Sequence, residues 1–227
     1  VGLAAAVFLG GCAKFQKSHD ERNAGRKATA ASASAKKATA AEAASASVTR
    51  AQLLAKQGLD DVALAEFEKA ITINPTLTTA YLGIGQIQRK RGDVAKAEVA
   101  YSKAAEIEPA NFDAQYNHGL TLQLLSRIAD SVRAYLRALQ IRPDDFDANL
   151  NLATAYLQLN EPGAGLTYAQ RAVRLKSESG PARVNLGAIY AALGDNENAV
   201  VEYQQAAELL DLTPELLLNL ADSLGRV

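Results

Sequence analysis

The chain has 227 residues, 48% of them hydrophobic and 22% charged, and its net charge of −1 gives no electrostatic reason to expect a nucleic-acid partner. One cysteine excludes an intrachain disulfide, so packing alone has to hold the fold. With two His, no Trp and no Met, few catalytic constellations are open.

Val1 to Gly11, VGLAAAVFLGG, is an uncharged run of apolar and small residues. It is too short for a bilayer span of about 20 residues but suits the core of a secretory signal, and the missing Met implies sequence before it. Leu9, Gly10, Gly11 and Cys12 resemble a bacterial lipobox. That resemblance implies cleavage before Cys12, a diacylglycerol on its thiol and acylation of the new amino terminus, enough for stable membrane attachment. Ala13 after the cysteine is similar to enteric lipoproteins sorted to the outer membrane. The plainer alternative is a buried cysteine at the end of an apolar helix. From Ala13 to about Ser47 the chain is rich in Ala, Ser, Thr and Lys, with little to bury, and reads as a tether whose Ala content allows helix continuous with the first repeat. The expected organisation is residues 1–11 signal remnant, 12–47 lipidated cysteine and tether, and 48–227 a repeat domain.

The repeat is set by the stretch Ala80 to Pro109, with Gly85, Gly92, Tyr101, Ala104 and Pro109 as markers. Sliding back by 34 residues gives Ala51, Gly58, Phe67, Ala70 and Pro75. Sliding forward gives Gly119, Ser126, Tyr135, Ala138 and Pro143, then Ala153, Asn160, Ala169, Ala172 and Ser177, then Gly187, Gly194, Tyr203, Ala206 and Asp211. Small, aromatic and turn slots keep register without insertion. Each unit reads as two helices: Tyr81, Ile84 and Ile87 form a helical stripe, Gly92 supplies a left-handed end, Asp93 is placed to cap the next helix, and Pro109 stops it. Asn160 suits the left-handed slot and Pro162 the first turn after it, whereas Ser126 predicts an irregular turn. Units begin near Ala44, Thr78, Phe112, Phe146 and Gly180, with a sixth first helix from Pro214.

This pattern is similar to the tetratricopeptide repeat over roughly residues 44 to 227. The resemblance implies an all-α, right-handed superhelical solenoid of antiparallel helix pairs that holds a protein or peptide partner. It also implies that first helices line the concave side, with the sixth residue of each pointing into the groove. That residue is Asn117, Asn151, Asn185 and Asn219 in the last four units, with Thr49 and Gly83 before them. A primary amide offers both donor and acceptor, so such a row suits an extended peptide backbone and looks like the asparagine ladder in the repeat domain of O-linked N-acetylglucosamine transferase. Equally, Asn is common at this position in the family, where it bonds locally. Arg89, Lys90, Tyr116, Asp113, Asp147 and Asp222 are the neighbours expected to add specificity, although Asp113 and Asp147 also suit the helix dipole. The Lys and Asn clamp that some family members close on a partner's terminal carboxylate is not met, since Val48 and Gln52 stand where it needs those types.

No nucleophile with its base, metal set or phosphate loop emerges, so no enzyme, cofactor, metal site or small-molecule substrate is expected. Gly83 to Gly92 lacks the strand and spacing of a phosphate cradle. His118 fills a slot that is Ile or Leu in neighbouring units and is expected to pack in the core. The sequence reading is a lipid-anchored interaction scaffold on the periplasmic face of a bacterial outer membrane, a class whose relatives include pilotin-like assembly factors. The exposed leucines expected after Pro214 suggest that the chain continues past Val227. A second reading is then that this is the amino-terminal half of a longer enzyme such as a glycosyltransferase.

Overall fold

The computed structural model describes Arg26, Ser32 and residues 34–210 and 213–227, and the described residues form helices joined by short turns, with no strand. Helix α1 covers 34–56 among the described residues. It is followed by α2 (Asp60–Ile73), α3 (Thr78–Lys90), α4 (Val94–Ile107), α5 (Phe112–Leu124) and α6 (Ile128–Ile141). Then come α7 (Phe146–Gln158), α8 (Pro162–Leu175), α9 (Gly180–Ala192), α10 (Asn196–Leu209) and α11 (Pro214–Leu224). From α3 to α10 first helices of 13 residues alternate with second helices of 14, and the first helices from α3 onward start at the positions the 34-residue frame assigns. The end of the segment read as a tether is helical from residue 34 and continuous with the first unit; Ala44 and Ser47 are already buried.

Each unit closes on a small residue. Tyr101, Tyr135 and Tyr203 of the second helices lie across Gly85, Gly119 and Gly187 of the first. A Cβ added to those glycines would stand 2.7 to 2.8 Å from the ring, closer than carbon atoms approach. The rings are at most 2% exposed. In the fourth unit Ala153 and Ala169 occupy the two slots, both fully buried, and Leu186 and Ile189 from the next first helix complete that core. The volumes trade off from unit to unit.

The turn between the two helices is left-handed in every unit. Gly58, Gly92 and Gly194 have φ of 78°, 82° and 79°, and Ser126 and Asn160 join them at 60° and 58°. The irregularity expected at Ser126 is absent: the serine accepts the conformation the repeat imposes, and α6 begins where the frame places it. The expected cap at Asp93 is also corrected. Asp93 stands at the N-cap of α4 without a side-chain cap bond, and its carboxylate takes the Lys96 ammonium at 3.1 Å instead. Capping belongs mainly to the first helices, where Asn111, Asp145, Ser179 and Thr213 each accept a backbone N–H three residues on.

A second recurring device joins one unit to the next. The fourth residue of α3, α5, α7 and α9 donates to the carbonyl six residues back in the linker: Tyr81 to Pro75 at 3.2 Å, Gln115 to Pro109 at 3.1 Å, Asn149 to Pro143 at 2.9 Å and Arg183 to Ser177 at 2.9 Å. Four side chains of different chemistry share one function, each worth about 1 kcal/mol net.

Successive first helices approach one another, α3 to α5, α5 to α7, α7 to α9 and α9 to α11, whereas no two described second helices do. The first helices therefore sit on the inner side of the curve and line a groove. Among the described residues no helix is long and apolar enough to cross a membrane.

The left-handed serine gives a direct test. A non-glycine residue in this region costs about 1–2 kcal/mol, partly offset by the entropy glycine loses on folding. Ser126→Gly is expected to raise the stability of the solenoid by about 0.5–1 kcal/mol, read as a higher urea midpoint, with a smaller gain for Asn160→Gly.

Candidate peptide groove

Asn117, Asn151, Asn185 and Asn219 sit on α5, α7, α9 and α11, one helical pair apart, but their amides are in different states. Asn117 Nδ2 donates to the Asp113 carbonyl of its own helix at 2.7 Å. Asn151 Nδ2 reaches back to the preceding first helix and donates to the Tyr116 hydroxyl at 3.1 Å. Asn185 Nδ2 does the same to Thr154 Oγ1 at 2.8 Å, and that hydroxyl passes its own proton to the Leu150 carbonyl at 2.9 Å. Asn185 is only 9% exposed, and its Oδ1 is buried without a donor. Asn219 is exposed. No donor from the described residues reaches Oδ1 of Asn117 or Asn151, so both oxygens, and one N–H of each amide, remain for a partner.

Tyr116 is held firmly for a groove residue. Its ring stacks on Phe112 at 5.7 Å and tilts against Tyr135 at 6.0 Å. Burial raises its hydroxyl pKa, and the carboxylates of Asp147 and Asp145 add to the rise, so the phenol stays protonated while it accepts from Asn151.

The charged neighbours divide along the groove. Arg89 lines a hollow of about 240 Å³ with Asp113 and Asn117. Lys90 faces a second hollow beside it and holds both oxygens of Asp60, at 3.0 and 3.2 Å. Asp113 stands 3.8 Å from Arg142, whose guanidinium covers the Phe112 ring at 4.3 Å. Asp222 pairs with Arg226 one turn on at 3.0 Å, and Asp147 is exposed. Such exposed pairs are worth little each, so these side chains are free to be recruited by a ligand. Cys12 lies outside the described residues.

His118 departs from its apolar counterparts. Leu152 and Leu186 in the same slot are buried, whereas His118, like Ile84, is half-buried, and it turns Nε2 to Glu98 Oε1 at 3.3 Å. Arg127 reaches the same carboxylate at 3.2 Å. Nδ1 is buried without a partner, which suits a lone pair far better than an N–H. Burial lowers the imidazole pKa, Glu98 opposes that, and Arg127 and Arg137 reinforce it. Among the described residues no group of three or more His, Cys, Asp or Glu is placed to hold a metal ion.

A stack of helix pairs, each closed on a small residue and turned through a left-handed link, with a polar inner wall, defines a helical-repeat binding solenoid. The chain belongs to the tetratricopeptide repeat family: models of that repeat match residues 44–77 and 78–111, and paired-repeat models match 116–180 and 150–216. The repeats imply a protein-interaction scaffold. Among solved structures the chain is similar to YrrB, described as a TPR protein with an unusual peptide-binding site, at 21% identity over 78% of this chain and 90% of that one, with a TM-score of 0.71. It is also similar to pilF of Pseudomonas aeruginosa, at 20% identity over 83% and 87% and a TM-score of 0.66. A third is MamA, at 19% identity over 70% and 93% and a TM-score of 0.65. No curated protein matches.

The His118 geometry predicts a pH dependence with a definite sign. Its folded pKa lies below the ordinary 6.5, so the unfolded chain binds the proton first. The neutral-His contribution to stability is then complete above about pH 6.5 and declines as pH falls below it. The His118 ring protons should titrate by NMR below the ordinary histidine range. The decline in urea midpoint between about pH 6.5 and 5 should be smaller in His118→Leu, which restores the residue type of Leu152 and Leu186.

Proposed function

We propose that this chain is a membrane-tethered, non-catalytic scaffold that holds a protein partner by an extended segment laid along the inner wall of the solenoid. The observation that carries the reading is the row of first-helix amides at constant spacing, with the outward oxygens of Asn117 and Asn151 and the exposed Asn219 turned to a surface no described part of the chain covers. Backbone gripping of this kind is tolerant of sequence. YrrB's described peptide-binding site supports the groove as a place for peptides within the same fold. Tyr116 with Asn151, and Asp113, Asp147 and Asp222 on the same inner helices, would add side-chain discrimination to it.

The tether reading rests on Leu9 to Cys12 and the Ala- and Ser-rich stretch after them. Lipidation at Cys12 would hold the solenoid beside a bacterial outer membrane on its periplasmic face, at a distance set by the length of that stretch. Lipid-anchored repeat proteins of the kind the lipobox points to include pilotin-like factors, and the scaffold would then serve the assembly of an envelope structure.

Two experiments test the two halves separately. Asn117→Ala combined with Asn151→Ala removes two amides that stand at the surface, each worth about 0.5–1.5 kcal/mol. A partner captured by crosslinking in cells and then purified should bind the double variant roughly tenfold more weakly or worse, with the helical melt nearly unchanged; equal affinity would reject the amide groove. Cys12→Ser should move the protein from the membrane to the soluble fraction on cell lysis, and retention on the membrane would reject the lipid anchor.

A further inference from the structure

The inner wall is interrupted at its amino-terminal end in a way that makes a pocket. Gly83 takes the sixth position of α3, where the following units have Asn. A Cβ there would lie 2.2 Å from Phe67 Cζ and 2.6 Å from Cε1 and Cε2, so the ring tip of α2 pushes through the small-residue slot and rests against the α3 backbone. The result is a hollow of about 510 Å³ floored by Phe67, Leu82 and Ile87 and walled on the α1 side by Ala55. That volume is in the range that encloses a bulky side chain or small ligand.

Its rim is positive. Lys56 lines it and makes no ion pair among the described residues. Lys90 is already neutralised by Asp60. The adjoining hollow shares Leu82 and Gln86 with this one and carries Arg89 and Asp113; Arg89 makes no ion pair among the described residues. An apolar floor is thus flanked by two cations that make no ion pair among the described residues, Lys56 on one side and Arg89 on the other; Asp60 is taken up by Lys90 and Asp113 stands towards Arg142, and the surface leads on to Asn117.

We infer that this hollow is the specificity pocket of the groove, and that it takes a large aliphatic or aromatic side chain of a partner peptide with an Asp or Glu immediately beside it. The inference rests on the groove reading above and adds the chemistry of the segment held there. The apolar side chain would cover the parts of Leu82 and Ala55 still open to water, above a floor of buried Phe67 and Ile87, and the neighbouring carboxylate would pair with Lys56 or Arg89 according to the direction in which the peptide runs. A basic neighbour would meet both cations and be rejected.

The test needs no identified partner. A phage-displayed library of random dodecapeptides is selected on the full chain, and the best peptide is synthesised with a fluorescent label for anisotropy titrations. Enrichment of Phe, Tyr, Leu or Ile next to Asp or Glu is the expected result. The selected peptide should lose at least tenfold in affinity when either of those two residues is changed to Ala. It should lose as much on Gln86→Trp, an exposed substitution that fills the hollow, and on Lys56→Glu with Arg89→Glu, two exposed changes that spare the fold. No enrichment, a basic or wholly polar consensus, or unchanged affinity on Gln86→Trp would overturn the pocket. Loss of affinity on Asn117→Ala with Asn151→Ala, alongside unchanged affinity on the pocket variants, would leave the groove standing and remove only the pocket.

Discussion

Everything in this solenoid depends on how close the two helices of one unit can come. A hydrogen or a methyl at Gly85, Ala51, Gly119, Ala153 and Gly187 allows it, and the ring of Phe67, Tyr101, Tyr135 or Tyr203 then lies over the gap. A larger residue in the small slot would force the pair apart and propagate the displacement to every later unit, since each unit is positioned only by its neighbours. The cost would therefore exceed the local one of overpacking, about 1–3 kcal/mol. The same closeness brings successive first helices into mutual contact while the second helices fan apart, and so creates the groove.

The linkers then fix the rotation between units. The donors at Tyr81, Gln115, Asn149 and Arg183 all tie a first helix to the carbonyl behind it, and the reach of each differs. Gln115 and Asn149 are nearly fully buried, with their own carbonyl oxygens lacking a donor, so this bond justifies their burial. Where the residue before a first helix has no capping side chain, as at Leu77, Tyr81 is joined by Asn74, whose side-chain oxygen accepts from the Thr76 N–H and hydroxyl and whose carbonyl accepts from the Leu77 N–H. Further variation sits where the end of the second helix returns over the first residue of its own unit. Arg142 covers Phe112 and Lys176 covers Phe146, but Leu210 fills the space over Gly180. Ring and cation in two units are replaced by glycine and leucine in the third.

Repetition made the fold legible. A slot filled by Gly, Gly, Ser, Asn and Gly every 34 residues announces a left-handed turn even though Ser126 alone would not, because the other four carry the information. Weighed on its own propensity, Ser126 misleads, since the register of the repeat overrides it. Asp93 misleads in the opposite direction: its type suits a cap, yet Lys96 competes for the carboxylate and wins. In the groove, the positions of the four asparagines were legible but not their bonding. Whether an amide faces a partner or a neighbour depends on what stands one unit back, Tyr116 for Asn151 and Thr154 for Asn185, and these contacts span 35 and 31 residues. The linker donors were hidden for a related reason. Tyr, Gln, Asn and Arg do not look like one class until the shared acceptor is seen, although their common ability to donate from a fixed slot was the signal.

These partial engagements also decide where binding energy can come from. Had all four amides been free on both sides, a peptide along the wall would have gained about eight hydrogen bonds at 0.5–1.5 kcal/mol each. With Asn185 nearly buried and one proton each of Asn117 and Asn151 already committed, the remaining N–H and oxygen of Asn117, Asn151 and Asn219 leave about six of those bonds, before the peptide's ordering cost. Amide contacts of that strength can set the direction and register of a chain but cannot select one protein among many. Selection has to come from burial of apolar surface or from charges outside ion pairs, and the inner wall offers both beside Gly83, where half-buried Leu82 and Ala55 lie next to Lys56. On the proposed reading, the four units with the asparagine would align a peptide, and the two before them, with Thr49 and Gly83 in that slot, would read it.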